Sequence, residues 1–333
     1  MKKNIILSLV LMATVIGCSN DTSQSNNVEV TTEPVAETTV ETTEEVTETV
    51  ADESYTYTDV AEREVFMEKS PESVAVTYMP LWESLILLDA NVVAASGAEN
   101  YLATWDAFEG VNPGTPIDIG LGDPNLELLA EIAPDITLHQ VRDISSYDIV
   151  NLEQVTNVAL FDNATRLDWR LSLIEVGKLI GKEDKAYEVI EEVESELAES
   201  NAKIKEVHSD DFTVAQFTVM AEDSYHMQYT PELYDDEIGL GLNTPEGFAT
   251  TSSYEQVTLE ALALMNPDYL FVNVFDADTA IYEALEANPI FQNLDAYKNG
   301  HVYILDGSGH GNSALCTIYK VRTITDILLK VEN

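Results

Sequence analysis

Apolar and polar positions follow the same pattern at two places half a chain apart. Residues 126–135 and 259–268 both read L-E-x-L-A-x-x-x-P-D, and both run directly into an apolar stretch. Asn125 or Thr258 can cap the start of a helix, and the helix ends before the proline because the residue preceding a proline disfavours helical backbone. The apolar run that follows predicts a buried strand. Two equivalent helix–strand units predict two similar α/β lobes, and a cleft between lobes is a common ligand site.

Short β-rich runs and apolar periodic segments complete each half of the chain. Because strands alternate with helices, the pattern predicts mostly parallel sheets. The segments around Trp105, Arg142 and Tyr225 fall between these elements and are predicted as loops. The predicted strands are 73–77, 92–95, 158–161, 213–217 and 301–305, and the predicted helices include 81–88 and 318–331.

The middle of the chain changes to a helical pattern. From Asp168 onward apolar residues recur at helical spacing, Gly181 interrupts them, and the recurrence resumes from Ala186 to Ile204 with glutamates on the opposite face. This pattern predicts a long amphipathic helix that connects the two lobes over residues 166–207.

The N-terminal residues predict export and anchoring. Lys2 and Lys3 precede an apolar run that is too short to span a bilayer and has the form of a signal peptide over residues 1–17. Gly17-Cys18 resembles the lipobox of bacterial lipoproteins, in which the cysteine is acylated; the alternative is a plain secretory signal. Residues 18–54 contain no basic residue and are rich in Thr and Glu, so we predict a lipid anchor at Cys18 followed by a disordered acidic tether.

The charge balance limits the possible partners. The formal net charge is −44, with 60 acidic and 16 basic residues. Such a chain lacks the basic patch that neutralises phosphates, so nucleic acid is not an expected partner. An anionic ligand would not be attracted over long range and would need local arginines, of which the sequence has five. The only cysteine besides Cys18 is Cys316, so no internal disulfide is expected.

The order of these segments resembles the substrate-binding lipoproteins of iron-siderophore, haem and cobalamin ABC importers. The resemblance runs from Val65 to Leu329 and is strongest in Ser73–Leu88, in D-I-G-L-G-D-P-N-L-E-L-L from Asp118, in G-K-L-I-G-K-E-D-K-A-Y from Gly177, in the second repeat, and in N-P-I-F-Q-N-L-D-A-Y-K-N-G-H-V-Y from Asn288. It implies an α/β fold of two Rossmann-like lobes joined by a single long α-helix, with a ligand cleft between them. We place the lobes at 55–165 and 208–333.

The resemblance also implies a set of ligand contacts. In the siderophore branch, an arginine just after the first-repeat strand commonly meets the ferric chelate, and Arg142 occupies that position; a surface ion pair is the alternative. A guanidinium suits the negative oxygens of such chelates. Aromatic side chains would cover the apolar surface of the chelate, and His310 stands where relatives usually carry Trp or Tyr. The further predicted contacts are Tyr78, Trp82, Trp105, Tyr225, His226 and His310.

Two glutamates are implied as docking points for the transporter. In family members, one glutamate on each lobe pairs with arginines of the permease, and Glu83 and Glu260 are assigned this role. Glu127, the repeat partner of Glu260, is interpreted as structural. The implied partners are a permease dimer with its ATPase and the membrane, with the chain itself a monomer.

The function predicted from the sequence is capture of a ferric siderophore at the outer face of the cell membrane. Haem or cobalamin binding is the alternative within the family. A zinc or manganese receptor is a weaker one, in which His139, His226 and His310 would share one cleft. No cofactor is expected. No G-x-S-x-G, H-E-x-x-H, phosphate-loop or C-x-x-C motif is found, so an enzyme is not predicted.

Overall fold

The computed structural model describes residues 54–221, 224–250 and 254–330. The described residues all belong to one compact unit, which covers Ala51–Asn333. The predicted signal peptide, the lipid anchor at Cys18 and nearly all of the acidic tether lie outside the described residues. Their assignments therefore stay predictions.

Lobe one is built on a parallel sheet. A short antiparallel hairpin of β1 (Tyr55–Thr58) and β2 (Glu64–Met67) precedes it. The sheet contains β3 (Val74–Val76), β4 (Val92–Ala95), β5 (Ile117–Asp118), β6 (Ile136–Gln140) and β7 (Val158–Phe161), in the order β5-β4-β3-β6-β7. All its strand pairs are parallel, as predicted. The helices of this lobe are α1 (Met79–Leu87), α2 (Ala98–Thr104), α3 (Leu126–Ile132) and α4 (Val150–Glu153), and a 3₁₀ turn covers Asp106–Phe108.

The connecting region is helical and contains the long helix that the sequence predicts. It comprises α5 (Asn163–Leu167), α6 (Trp169–Leu179) and α7 (Glu183–Val207). Gly181 separates α6 from α7 and has a positive φ of 70°, a conformation that favours glycine. The apolar face of α7, from Ala186 to Ile204, is buried, and its glutamate face is exposed. The long connection is thus α7, preceded by the shorter α6.

Lobe two has a mixed sheet. It contains β8 (Val214–Ala221), β9 (Ser224–Gln228), β10 (Tyr254–Val257), β11 (Tyr269–Val274) and β12 (Val302–Leu305), in the order β10-β9-β8-β11-β12. Strand β9 runs antiparallel to both its neighbours. The helices are α8 (Pro231–Tyr234), α9 (Leu259–Met265), α10 (Thr279–Glu286), α11 (Pro289–Gln292), α12 (Asp295–Asn299), α13 (Gly307–His310) and α14 (Ala314–Lys330), with a 3₁₀ turn at Asp276–Asp278.

The loop predicted around Tyr225 is a strand in the structure, namely β9. Tyr225 and His226 were expected in a loop, but they lie within this strand. Tyr225 and Met227 are buried while His226 between them is half-buried, which is the alternation of a strand with one face against the core. The segment is short and mixes polar with apolar residues, so its pattern was missed.

The two copies of the repeat fold alike, which confirms the helix–strand prediction. The Asn125 side chain accepts a hydrogen bond from Leu128 N at the start of α3, and Thr258 accepts one from Ala261 N at the start of α9. Both helices end on a left-handed residue, Ala133 or Asn266, two positions before the strand-initiating aspartate. Strands β6 and β11 follow and are the central partners of β3 and β8.

The aspartate that closes each repeat ties it to the first strand of its sheet. Asp135 accepts hydrogen bonds from Ser73 N at 2.8 Å and Ser73 Oγ at 2.9 Å, and its own N–H donates back to Ser73 Oγ. Asp268 makes the same set with Thr213 in lobe two. These donors hold the pKa of Asp135 below its usual value despite partial burial. The repeated phrase therefore also fixes the register between two parallel strands.

One apolar cluster of the described residues extends across both lobes, and a second, smaller one lies within lobe one. Helix α14 of lobe two packs against α1, α6 and α7. At the same boundary, Glu232 of α8 accepts hydrogen bonds from Trp169 Nε1 at 2.9 Å and Arg170 Nη1 at 2.8 Å on α6. The connecting helices and α14 thus hold the lobes together by both apolar and polar contacts.

We expect Asp135→Ala to lower the free energy of unfolding by about 2–3 kcal/mol, because it removes several hydrogen bonds to a charged group. Urea denaturation monitored by circular dichroism measures this loss. Asp326→Ala is the matched control, since Asp326 makes only an exposed ion pair with Lys330, and its loss should be within about 0.5 kcal/mol. Equal losses in the two variants would contradict the registration role.

Candidate ligand site at the carboxyl edge of lobe one

A cavity opens where the strand order of lobe one reverses. From β3 the chain first adds β4 and β5 on one side and then β6 and β7 on the other. In open α/β sheets, the crevice at the carboxyl ends of the strands at such a point is the usual ligand position. The cavity here has a volume of about 800 Å³, which is within the range of small-molecule sites.

The floor of the cavity consists of residues that end three adjacent strands. Thr77 and Tyr78 follow β3, Ser96 follows β4, and His139 and Gln140 end β6. Because these strands are parallel neighbours, their last residues necessarily meet at one edge. Tyr101, Leu121 and Asp123 line the opposite side, and Arg142 and Arg166 complete the lining.

Asn163 bonds the backbone of one cavity arginine and the side chain of the other. Its Nδ2 donates to the carbonyl oxygen of Arg142 at 2.9 Å, and its Oδ1 accepts from Arg166 Nε at 3.0 Å. Asn163 is itself fixed at the start of α5, whose first amides are capped by Asp162. Arg166 also lies near the Tyr78 hydroxyl and opposes the rise of the Tyr78 pKa that burial causes. The sequence analysis missed Arg166 and Asn163; the available signal was that Arg166 is one of only five arginines and follows a strand end.

The two cavity arginines differ from the other three in their partners. Arg63 pairs with Asp59 and Glu153, Arg170 with Glu194 and Glu232, and Arg322 with Glu196. Among the described residues, no carboxylate lies within ion-pair distance of Arg142 or Arg166. In a chain of such negative charge, this leaves two positive charges without protein counter-ions at one cavity.

Besides the arginines, the cavity is lined by the Asp123 carboxylate and by Tyr78 and His139, which are uncharged near pH 7. Burial raises the pKa of Tyr78, and the nearby Arg166 and Arg142 oppose this shift. Burial lowers the pKa of His139, whose Nδ1 lies 2.7 Å from Thr77 Oγ1. The site therefore offers two cations, neutral hydrogen-bonding groups and one carboxylate, which makes no ion pair with either arginine.

Of the predicted ligand contacts, Arg142 and Tyr78 line this cavity. Trp105 does not line the cavity but packs edge-on against Tyr101, which does, with ring centroids 5.2 Å apart. The centroid of the Trp105 ring also lies 6.3 Å from that of Phe275 in lobe two. The ring centroids of Phe275 and His310 are in turn 5.3 Å apart. Aromatic contacts thus run from the cavity wall in lobe one to His310 in lobe two.

His310 and His226 occupy the corresponding edge of lobe two. Asn273 donates to Thr218 Oγ1 at 2.9 Å, and this hydroxyl lies 2.9 Å from His310 Nδ1. Burial, with smaller contributions from Lys320 and His226, lowers the pKa of His310 to about 4, so the ring is neutral at pH 7. His226 Nε2 lies 3.3 Å from Ser224 Oγ. Neither histidine lines the lobe-one cavity, and their ligand roles stay predictions.

Two aromatic residues that were predicted to contact the ligand are instead buried in the core. Trp82 is fully buried and packs on Phe108 with ring centroids 4.9 Å apart, because α1 turns this face toward the core. Tyr225 is also buried and packs edge-on against Phe217. Both side chains stabilise the lobes and do not reach the cavity.

Glu83 was predicted to be a docking residue, and the structure contradicts this. Its side chain is fully buried, and it accepts hydrogen bonds from Ser313 Oγ at 2.8 Å, Cys316 N at 3.1 Å and Cys316 Sγ at 3.2 Å. These donors surround the start of α14, so a carboxylate of lobe one caps a helix of lobe two. Burial outweighs these donors and raises the pKa of Glu83 to about 7.

A reciprocal contact runs from lobe two to lobe one. Asp306 Oδ2 accepts from Asp106 N at 2.8 Å, and Ser308 Oγ accepts from Ala107 N at 2.9 Å, which caps the 3₁₀ turn. Between them, Gly307 packs so closely that a Cβ there would lie 2.9 Å from both Trp105 and Phe275. The segment that carries His310 therefore forms part of the interface between the two lobes.

Comparison with models of known protein families shows which family the chain belongs to. A model of the periplasmic binding protein family matches residues 74–308. The chain belongs to the periplasmic binding protein family. The matched range begins at β3 and ends in α13, so it covers both lobes of this binding protein and the helices between them.

The relatives of this binding protein are iron-transport proteins. It is 28% identical over 206 residues to the iron-uptake system-binding protein of Bacillus subtilis, covering 58% of this chain and 62% of that one. It is 25% identical to the ferric enterobactin-binding protein FepB of Escherichia coli, covering 72% and 80%. The chain spans only 57–62% of the length of the iron-uptake, Fe(3+)-citrate-binding and petrobactin-binding proteins of Bacillus subtilis that it matches.

Solved structures share the fold. The FhuD fold-family binding protein of a Fep/Fec-like ferrichrome ABC transporter from Bacillus subtilis superimposes with a TM-score of 0.67 at 23% identity, covering 83% of this chain and all of that one. The triscatecholate siderophore-binding protein FeuA in complex with ferri-bacillibactin gives 0.63 at 22% identity, covering 82% and 98%. The two-lobed fold expected from the sequence is thereby confirmed.

Among the described residues, no set of metal ligands supports the alternative of a zinc or manganese receptor. In the part of the chain that the structure describes, no group of three or more His, Cys, Asp or Glu side chains is arranged to hold a metal ion. His139 bonds a threonine in lobe one, whereas His226 and His310 lie in lobe two.

The raised pKa of Glu83 predicts a specific pH dependence. Because the pKa rises from 4.5 to about 7 on folding, the stability contributed by the neutral form is fully present below pH 4.5 and is lost as pH increases through 7. Relative to Glu83→Gln, the unfolding free energy of the wild type should fall by about 3 kcal/mol between pH 4.5 and pH 7.5. Urea denaturation at several pH values measures the difference.

Glu260→Gln serves as the control for this experiment, because Glu260 is exposed and its removal should leave the pH profile unchanged. Wild-type and Glu83→Gln profiles that run parallel would show that Glu83 does not take up a proton on folding.

Proposed function

We propose that this binding protein captures an anionic ferric siderophore and delivers it to an ABC permease at the outer face of the cell membrane. The observation that carries the proposal is the pair of arginines, Arg142 and Arg166, that line the cavity without a protein counter-ion. Guanidinium groups recognise the negative oxygens of carboxylate, hydroxamate and catecholate chelates. The ligand would supply the missing negative charge.

The overall charge of the protein makes this local arrangement informative. With a net charge of −44, the long-range field repels anions, so selection of an anionic ligand must come from charges inside the cavity. Two arginines bonded by one asparagine provide it. The neutral His139 adds hydrogen-bonding capacity without further charge.

The relatives support an iron chelate over haem or cobalamin. The names of the curated relatives specify iron uptake, Fe(3+)-citrate, petrobactin and ferric enterobactin. Family members are substrate-binding transport proteins, and capture and release without a chemical reaction is the corresponding proposal for this chain. The chelate is cargo, not a cofactor.

The anchoring and domain boundaries belong to the same proposal. A signal peptide over 1–17, a lipid anchor at Cys18, a tether to residue 54 and lobes at 55–165 and 208–333 would place a monomeric receptor next to its permease dimer and ATPase. The chain is 24% identical over 323 residues to YhfQ of Bacillus subtilis, whose name describes an ABC transporter substrate-binding lipoprotein. Within the described residues, no helix has the length and apolar character needed to cross a membrane.

Docking to the permease is better assigned to Glu127 and Glu260 than to Glu83. Glu83 is buried between the lobes and unavailable to a partner. Glu127 and Glu260 are both exposed, and they occupy the same position in the first turn of the matched helices α3 and α9. One carboxylate on each lobe at equivalent positions would give a two-point electrostatic contact that fixes orientation.

We expect Arg142→Ala and Arg166→Ala each to weaken binding of an anionic ferric chelate about ten- to hundredfold, because each removes charge-assisted hydrogen bonds. Quenching of tryptophan fluorescence in titrations with ferric catecholates, ferric citrate and haemin measures the affinities. Arg322→Ala, which removes an arginine paired on the surface with Glu196, is the matched control. Unchanged affinity in both cavity variants, or saturation by haemin alone, would refute the proposal.

We expect Glu127→Gln and Glu260→Gln to reduce uptake of radioactive iron chelate by cells while leaving the affinity of the purified protein unchanged. The reason is that the exposed carboxylates would act only on the permease contact. Glu131→Gln, an exposed change in the same helix as Glu127, should transport like the wild type. A loss of ligand affinity in either docking variant would contradict this assignment.

A further inference from the structure

The two walls of the lobe-one cavity carry opposite charges. The arginine wall follows β6 and β7 and carries Arg142 and Arg166, whereas the wall that follows β5 carries Asp123. Three strand spacings separate β5 from β6 in the sheet, so the strand ends that bear the two walls lie roughly 14 Å apart. The positive and negative groups therefore line the same cavity without pairing with each other.

A short loop after β5 holds Asp123 at its wall. On one side of it, Asp118 at the end of β5 accepts a hydrogen bond from Gly120 N at 2.7 Å. On the other side, Asn125 N donates to Ile119 O at 2.7 Å. Asp123 itself is exposed, and among the described residues its side chain takes part in no hydrogen bond or ion pair. The carboxylate is thus accessible to a ligand that enters the cavity.

Apolar surface accompanies this carboxylate on the same wall. Leu121 is 68% exposed although it is apolar, and Tyr101 lines the cavity beside it. Gly97 lets the two side chains approach, since a Cβ there would lie 2.8 Å from Leu121 Cδ1 and 2.9 Å from Tyr101 Cε2. An aromatic ring, an exposed leucine and a carboxylate together suit a protonated alkylamine, because its methylene groups pack on apolar surface while its ammonium pairs with the carboxylate.

A wholly anionic ligand does not match this arrangement of charges. The arginine wall attracts such a ligand, but Asp123 repels it, and like charges brought together across an interface weaken binding. A ligand with an anionic iron centre and a cationic arm matches both walls. The net charge of −44 favours the arm as well, because the field of the protein attracts cations.

We propose that Asp123, with Leu121 and Tyr101, is a specificity-determining site for a protonated alkylamine on the scaffold of the chelate. The protein thereby selects ferric chelates with an amine-bearing scaffold over wholly anionic ones. This inference rests on the proposed function. The arginine wall binds the oxygens around the iron, and the Asp123 wall binds the scaffold at a distance from the metal.

The test compares two ferric triscatecholates that differ in one group. In the first, the scaffold carries one protonated secondary amine. In the second, this amine is acetylated, which removes its charge and keeps its methylene groups. Tryptophan fluorescence titrations measure both affinities. The wild type should bind the amine-bearing chelate about three- to tenfold more tightly, as expected for a partly exposed ion pair.

Asp123→Asn should abolish this preference, with the two affinities within about twofold of each other, and should leave binding of the acetylated chelate unchanged or tighter. Leu121→Ala should weaken both chelates about threefold, because both keep the methylene groups. Glu68→Gln removes an exposed carboxylate of the same lobe outside the cavity lining and should retain the wild-type preference. Because Asp123 and Leu121 are exposed, the melting temperatures of their variants should stay within about 2 °C of the wild type.

Equal affinity of the wild type for the two chelates, or a preference that survives in Asp123→Asn, would overturn the inference. A preference lost equally in Glu68→Gln would also overturn it, because the effect would then come from the net charge and not from the cavity wall. If the wild type binds neither chelate, the proposed function is wrong and this inference fails with it.

Discussion

The arrangement of the two lobes depends on each lobe completing a helix of the other. The first amides of a helix have no partner within the helix, and burying them unpaired is costly. Glu83 of lobe one satisfies the start of α14, while Asp306 and Ser308 of lobe two satisfy the turn at Asp106. Sliding one lobe over the other would leave donors unpaired on both sides at once. The cavity edge is held in register by this mutual requirement.

Charge is distributed so that the ligand site is an exception to the rest of the molecule. Acidic side chains pair with most of the few basic ones, as Arg63, Arg170 and Arg322 show. The cavity retains two arginines outside this pairing, and the neutral Asn163 bonds the backbone carbonyl of Arg142 and the guanidinium of Arg166. Positioning by an amide fixes the geometry and leaves the charge available. A carboxylate in the same place would have fixed the geometry and cancelled the charge.

The sequence pattern predicted those parts of the fold that depend on interactions between residues close in sequence. The repeated phrase gave both helix starts, both helix ends and the two central strands, because caps, prolines and β-rich runs act within a few residues. It could not predict β9, where burial on one face depends on neighbouring strands, as the contact of Tyr225 with Phe217 of β8 shows. The strand alternation at Tyr225 is visible only when the position of the core is known.

The site was predictable where it depended on strand ends and not where it depended on contacts distant in sequence. Arg142 and Tyr78 follow strands, and the structure places both at the cavity. Trp82 and Glu83 lie on the buried side of α1, and what faces them there is the start of α14, more than two hundred residues away. A pattern on one helix cannot reveal that partner. For the same reason the sequence assigns a structural role to Glu127, which is exposed, and a docking role to Glu83, which is buried.

The burial of Cys316 has a practical consequence for studying lobe motion. Its thiol is fully enclosed beside Glu83, and burial raises its pKa well above the usual value, so the reactive thiolate is scarce. A soluble fragment beginning near residue 54 would contain no other cysteine. Spectroscopic probes could then be attached at one engineered surface thiol on each lobe without replacing the native residue. The distance between the halves would become measurable in an otherwise unaltered molecule.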